Sequence, residues 1–172
     1  MLSDKILNAL NEQVTVEAES AQTYLAMASW AETQGMEGIA DFMYKHSDEE
    51  RAHMLKLVRY INERGGHAVI CALRTPSTAF GSMKQMFKLL LEHEVRVSRG
   101  IDNLVEIALN EKDYATHNFL QWYVSEQIEE EALARLILDK INLIGDEKGG
   151  GLYLFDSDIR NLGAKSAADK AL

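Results

Sequence analysis

The six residues Asp48-Glu49-Glu50-Arg51-Ala52-His53 set Glu50 and His53 three positions apart inside a long segment of helical apolar periodicity. Residues so spaced on a helix share one face, one turn apart. A carboxylate and an imidazole there can grip one metal ion. A charged helix yields the same spacing by chance, with the face in solvent. The other segments decide between these readings, because a metal centre needs carboxylates from neighbouring helices at a matching height.

The segment holding this stretch runs from about Glu37 or Gly38 to Arg64 and is closed by Gly65-Gly66. Ile39, Phe42, Met43, His46, Glu50, His53, Met54, Leu57, Val58 and Ile61 form one broad stripe along it. Before it, about Ser3 to Gln34 reads as an amphipathic helix with Ser3 or Asp4 as N-cap and Gly35 as stop. Its apolar positions are Ile6, Leu7, Leu10, Val14, Ala18, Ala21, Leu25 and Ala28, and Glu17 falls among them. Burying an unpaired carboxylate costs several kcal/mol, so Glu17 is either at the helix edge or a ligand.

From Gly66 to Gly81 the periodicity is lost, and Thr75-Pro76-Ser77 is a turn signal. About 16 extended residues reach roughly 50 Å, whereas a helix of about 28 residues is roughly 42 Å long. The connector can therefore travel the length of a bundle, which predicts two antiparallel hairpins joined by a crossover. A third helix begins near Ser82 and runs to about Asn110, with Glu94 interrupting the apolar face of Met83, Met86, Phe87, Leu90, Leu91, Val97, Ile101, Leu104 and Ile107. A fourth spans about Tyr114 to Ile144 and repeats the i, i+3 spacing at Gln127 and Glu130. After a glycine-rich turn, Leu152 to Leu162 suggests a short fifth helix that needs a packing partner. The expected fold is all-α: a four-helix bundle with a long crossover between helices 2 and 3 and a short C-terminal fifth helix. One domain over 1–162 would precede a flexible tail at 163–172.

Composition narrows the chemistry. The single Cys71 excludes an internal disulfide and a thiolate metal site, so any metal must be held by oxygen and nitrogen. A net charge of -9 argues against nucleic acid as a partner. The apolar runs are too short for a membrane span, and Met1-Leu2-Ser3-Asp4-Lys5 lacks the features of a secretory signal, so a cytoplasmic location is expected. Acidic excess serves solubility, or draws cations where carboxylates line an inner surface.

Glu17, Glu50, Glu94 and Glu130 lie about 14, 13, 12 and 16 residues into their helices, which at 1.5 Å per residue puts them on one level to within about a turn. Several carboxylates meeting inside a bundle must hold cations, or they would be protonated or break the fold. Hard oxygens with a little imidazole suit iron, manganese or zinc.

Glu17 through Tyr24, Glu49 through His53, His93-Glu94 and above all Asn118-Phe119-Leu120-Gln121-Trp122-Tyr123-Val124-Ser125-Glu126-Gln127-Ile128-Glu129-Glu130-Glu131 carry a family likeness. Over about residues 1–162 the chain resembles the bacterial non-haem ferritins, among the ferritin-like di-iron carboxylate bundles. The resemblance implies that Glu17, Glu50 and His53 bind a first iron, with Glu50 bridging. Glu94 and Glu130 would bind the second, with Gln127 beside the pair, and Glu49, Glu126, Glu129 and Glu130 would form a third site. Tyr24 matches the tyrosine beside the centre, an electron donor. Ferroxidase activity toward Fe(II) with dioxygen or hydrogen peroxide, two irons per subunit plus a third, a 24-subunit homo-oligomeric shell and iron storage are implied likewise. No haem is expected.

One departure from neighbouring families bears on function. Bacterioferritins and rubrerythrins resemble a pattern whose fourth helix also supplies Glu-x-x-His, but here that pair is Gln127 and Glu130. The second metal would be held more weakly, which fits iron that moves on to a store. The alternatives are a di-iron redox enzyme of peroxidase or oxygenase type that stores nothing, and a metal-free interaction module with charged stripes. His46, His93 and His117 read as surface or hydrogen-bonded core histidines, the Met residues as core filler, and Trp122-Tyr123 as packing.

Overall fold

In the computed structural model, which describes residues 1–145 and 150–169, the backbone forms α1 (Asp4–Thr33), α2 (Glu37–Glu63), α3 (Met83–Asn110), α4 (Tyr114–Ile144) and α5 (Gly150–Asp169). Short polar side chains start three of them. Ser3 accepts from the Ile6 N–H at 3.3 Å, Ser82 from the Gln85 N–H at 3.2 Å, and Asp113 from the Thr116 N–H at 3.1 Å. Gly35 and Gly65, at φ +75° and +79°, take the left-handed conformation just past α1 and α2, which a side chain would resist.

The connector does cross the bundle. Val69 N–H donates to Asn11 Oδ1 at 2.8 Å near the start of α1, Arg74 pairs with Glu19 at 2.6 Å further on, and Phe80 meets Trp30 near its end at 5.7 Å between ring centroids. α3 therefore begins at the end where α2 begins, as the 6.3 Å approach of Phe42 and Phe87 also requires. At the opposite end Arg64 pairs with Asp113 at 3.0 Å, tying the close of α2 to the start of α4. Two antiparallel hairpins result, α1 with α2 and α3 with α4.

Between these helices the apolar core falls into two clusters. One, around Tyr24, Met27, Ile39, Phe42, Met43, Phe87 and Ile137, lies at the end where α5 docks. The other, around Leu10, Val14, Leu57, Ile61, Val97, Ile101 and Tyr123, lies toward the start of α1. A buried polar layer of Glu17, His46, Glu50, His53, Glu94, Glu126, Gln127 and Glu130 comes from the helical turns between them. Apolar burial on both sides holds the helices together across a layer that would by itself push them apart.

Two details differ from the sequence reading. The buried stripe of α1 runs through Gln13, Glu17, Ser20 and Tyr24, while Leu25 is exposed and Ala18 and Ala21 are half-buried. The apolar residues chosen from sequence drift off the face that the polar layer occupies, because that face is itself polar. The second difference is the length of α5. Its helical backbone continues past Leu162 to Asp169, where a flexible tail was expected from 163 onward; Ala164, Lys165, Ala167 and Ala168 favour helix and no Pro interrupts them. The turn expected at 146–149 and the last residues of the tail, 170–172, lie outside the described residues.

Candidate metal centre

α1 contributes Glu17 to the polar layer, α2 Glu50 and His53, α3 Glu94, and α4 Gln127 and Glu130; all six are buried. His53 Nδ1 lies 3.6 Å from Glu50 Oε2 and 4.0 Å from Glu17 Oε2. One donor atom from each of these three residues falls within 4.8 Å of the others, a separation one cation can bridge. On the far side of the ring, His53 Nε2 is 3.8 Å from Glu126 Oε1. The Tyr24 hydroxyl donates to Glu94, and Ser98 Oγ lies 3.2 Å from the Gln127 amide oxygen.

Electrostatics make this cluster costly without a cation. Burial, then the adjacent Glu50 charge, pushes the Glu17 carboxyl well above its ordinary range. Burial and then Glu94 do the same to Glu50, and burial followed by Glu130 pushes Glu94 up to about 7. Burial, then the charge of Glu94, raises the Tyr24 phenol, which therefore stays protonated. Oε2 of Glu17, Glu50 and Glu94 are all buried without a hydrogen-bond partner. Folded proteins rarely leave buried carboxylate oxygens unsatisfied. Two such atoms beside the His53 imidazole, with a third on Glu94, fit divalent cations, and the oxygen-rich donor set suits iron.

A second cluster gathers His46, Glu49 and Glu130. His46 Nε2 is 3.3 Å from Glu130 Oε2, Nδ1 is 3.7 Å from Glu49 Oε2, and the ring packs against Phe42 at 4.2 Å. Burial lowers the His46 pKa, but Glu130, Glu49 and Glu94 more than reverse it, so the net shift is upward. His46 thus sits among carboxylates, beyond the bystander role its sequence context gives it. Of the four carboxylates that the resemblance assigns to a third site, Glu49 and Glu130 meet here. Glu126 is buried against His53 instead, and Glu129 is exposed and belongs to neither cluster.

This layer, held by two hairpins and a crossover, has counterparts elsewhere. The family model for the ferritin-like domain matches residues 7–144. The chain belongs to the ferritin-like family. It is 46% identical over 162 residues to the bacterial non-heme ferritin of Campylobacter jejuni, covering 94% of this chain and 96% of that protein. With the bacterial non-heme ferritin of Staphylococcus aureus it shares 41% over 159 residues, 92% of this chain and 95% of that one. The open pore ferritin of the archaeon Archaeoglobus fulgidus superposes with a TM-score of 0.90 at 41% identity, over 93% of this chain and 98% of that chain.

Several residues around this ferritin-like centre escaped the sequence reading. Gln13 donates from Nε2 to Glu17 Oε1 at 2.8 Å. It sits on the buried face one turn before Glu17, the same kind of signal that singled out Glu17 itself. Ser98 Oγ also lies 2.6 Å from Glu131 Oε1, and Arg135 donates to that carboxylate at 2.7 Å. His93 is hydrogen-bonded, as expected of a core histidine: its Nε2 is 2.6 Å from Ser20 Oγ and its Nδ1 is 2.7 Å from the Arg96 guanidinium. Burial, then Arg96, lowers its pKa to about 4, so it is neutral and can only accept at Nδ1, leaving the proton on Nε2. Trp122 is more than packing, since its ring lies 5.2 Å from His53 with the Lys56 ammonium 3.3 Å from its centroid. Such pairings follow from how the helices are rotated, which residue type alone does not convey.

Proposed function

We propose that this chain is the subunit of an iron store, oxidising Fe(II) at the buried layer and passing Fe(III) to a ferric mineral inside a shell of 24 identical subunits. The observation that carries the reading is the group of Glu17, Glu50 and His53, in which an oxygen of each carboxylate is buried without a partner, with a third such oxygen on Glu94 in the same polar layer. Glu17, Glu50 and His53 bind the first Fe(II); Glu50, Glu94 and Glu130 bind the second, with Gln127 alongside. Two Fe(II) supply two electrons, which with two protons reduce dioxygen to hydrogen peroxide, or hydrogen peroxide to water. The carboxylates favour the ferric product by charge, and Tyr24, beside Glu94, serves as an auxiliary electron donor. A third iron is placed beside Glu49 and Glu130, where His46 also lies, with Glu126 and Glu129 as the further carboxylates that the resemblance implies. Among the described residues no helix is long and apolar enough to cross a membrane, and the assembly works in the cytoplasm.

Support for storage over a metal-retaining redox enzyme comes from the Gln127 and Glu130 pair, which offers the second metal no histidine. Size-exclusion chromatography with light scattering, before and after aerobic addition of several hundred Fe(II) per assembly, separates the two. A particle near 24 subunits that keeps the iron in solution supports storage; a dimer or tetramer that keeps about two irons per chain and precipitates the rest overturns it. Replacing Glu50 or His53 with Ala should preserve the particle and slow Fe(II) oxidation by orders of magnitude.

A further inference from the structure

Gln13 lies one turn before Glu17 on the buried face of α1, 3% exposed, and its amide donates to Glu17 Oε1 at 2.8 Å. The two oxygens of Glu17 are thereby divided. Oε1 is committed to Gln13, whereas Oε2 has no partner and lies 4.0 Å from His53 Nδ1, on the side of Glu50. A carboxylate fixed in this way offers a metal one oxygen in one direction, at little loss of rotamer freedom on binding.

α3 completes the arrangement. Gly100 stands mid-helix, where glycine is the poorest helix former after proline, so local structure gives no reason for it. Its neighbour does: a Cβ at position 100 would lie 2.8 Å from Gln13 Oε1. The far end of a flexible side chain can move aside cheaply, but this one moves by disturbing its bond to Glu17. Gly100 and Gln13, from two different helices, therefore act on the same carboxylate.

We infer that Gln13, seated against Gly100, is the positioning residue that makes Glu17 a one-oxygen ligand and so sets the affinity of the first metal position. This rests on the metal-centre reading above. It assigns Gln13 no contact with the metal.

Redox-inert Co(II), titrated anaerobically into the metal-free assembled protein and followed by its visible absorption, reads the site without turnover. Gln13→Met keeps length and burial but removes the donor, and should weaken the first Co(II) equivalent tenfold or more, with the second little changed. Gly100→Ala should weaken it several-fold while leaving the melting temperature equal or higher, because alanine favours helix; a purely structural role predicts no loss of affinity there. Combined, the two changes should weaken binding no more than Gln13→Met alone, since both act through one hydrogen bond. Glu17→Ala provides the reference. Should the unaltered protein and Glu17→Ala bind Co(II) alike, the metal-centre reading fails. Should Glu17→Ala lose the first equivalent while Gly100→Ala and Gln13→Met retain it within twofold, the metal-centre reading stands and the role of Gln13 is refuted.

Discussion

The Tyr24 hydroxyl on α1 donates its hydrogen bond to Oε1 of Glu94 on α3, joining a phenol and a carboxylate of the polar layer in one buried unit. That bond favours the ionised carboxylate, holding the Glu94 pKa near 7 against burial and the charge of Glu130, which would push it higher. Tyr24→Phe removes one oxygen and little volume. Glu94 should then be protonated over a larger part of the neutral range and bind its metal less readily. Zn(II) calorimetry at pH 6.5 should show the second equivalent weakened several-fold with the first unchanged; equal weakening of both would place the effect of Tyr24 elsewhere.

The same carboxyls govern stability. Glu17, Glu50 and Glu94 hold their protons above the ordinary value of 4.5, so the native state binds protons that the unfolded chain releases. Stability of the metal-free protein should therefore fall as pH rises from 4.5, for Glu94 up to about 7. His93 works in the opposite sense between about 4 and 6.5, because its folded form resists protonation. The carboxyls outnumber it, so melting temperature should decline from pH 5 to 7.5. Zn(II) should raise it most at the upper end, where no proton competes, and Glu94→Gln should flatten the profile.

Much of this was legible in the sequence, for physical reasons that particular residues make plain. Glu17, Glu50, His53 and Glu94 stood out because a polar group at an apolar helical position must find a partner, and the structure buries all four. The crossover followed from connector length alone. Rotation about each helix axis was not legible: Leu25 fits an apolar spacing yet points to solvent, while Ser20 and Gln13 are buried. The second cluster was missed for a related reason, since a lone His46 gains meaning only when α4 brings Glu130 to within 3.3 Å.

That cluster yields a test against the family likeness. The resemblance assigns a third site to Glu49, Glu126, Glu129 and Glu130, but the structure groups Glu49 and Glu130 with His46, and with neither Glu126 nor Glu129. His46→Ala should alter the ratio of iron oxidised to oxygen consumed at least as much as Glu49→Ala does, and more than Glu129→Ala. A larger effect at Glu129 would mean that its exposed side chain swings in when iron is present.

One carboxylate of α5 reaches the start of α2. Asp156 accepts from the backbone N–H groups of Gly38 at 3.0 Å and Ile39 at 2.9 Å, capping the first turn of α2 from a distant part of the chain. Asp156→Ala should cost about 1–2 kcal/mol, the usual loss for a helix cap, in chemical denaturation. Gly38→Ala should do more to α5, since its Cβ would lie 1.7 Å from the Asp156 carbonyl oxygen and the helix would have to move. Tryptic cleavage after Arg160 should quicken in both variants, more so in Gly38→Ala; an unchanged rate would mean that other contacts suffice to hold α5.

Trp122 supplies a direct reporter for the first metal position. The chain has two tryptophans, and only Trp122 faces the centre, 5.2 Å from the His53 ring, whereas Trp30 packs against Phe80 at the far apolar cluster. In a Trp30→Phe background, emission should come from Trp122 alone. Co(II) bound by His53 lies close enough to quench it, so the signal should saturate at one metal per chain. His53→Ala should abolish the quench. Glu94→Gln, at the proposed second metal position, should leave it in place. Quenching that continued to two equivalents would show the indole sensing both metals. Quenching that survived His53→Ala would move the first metal away from the imidazole and reopen the ligand assignment.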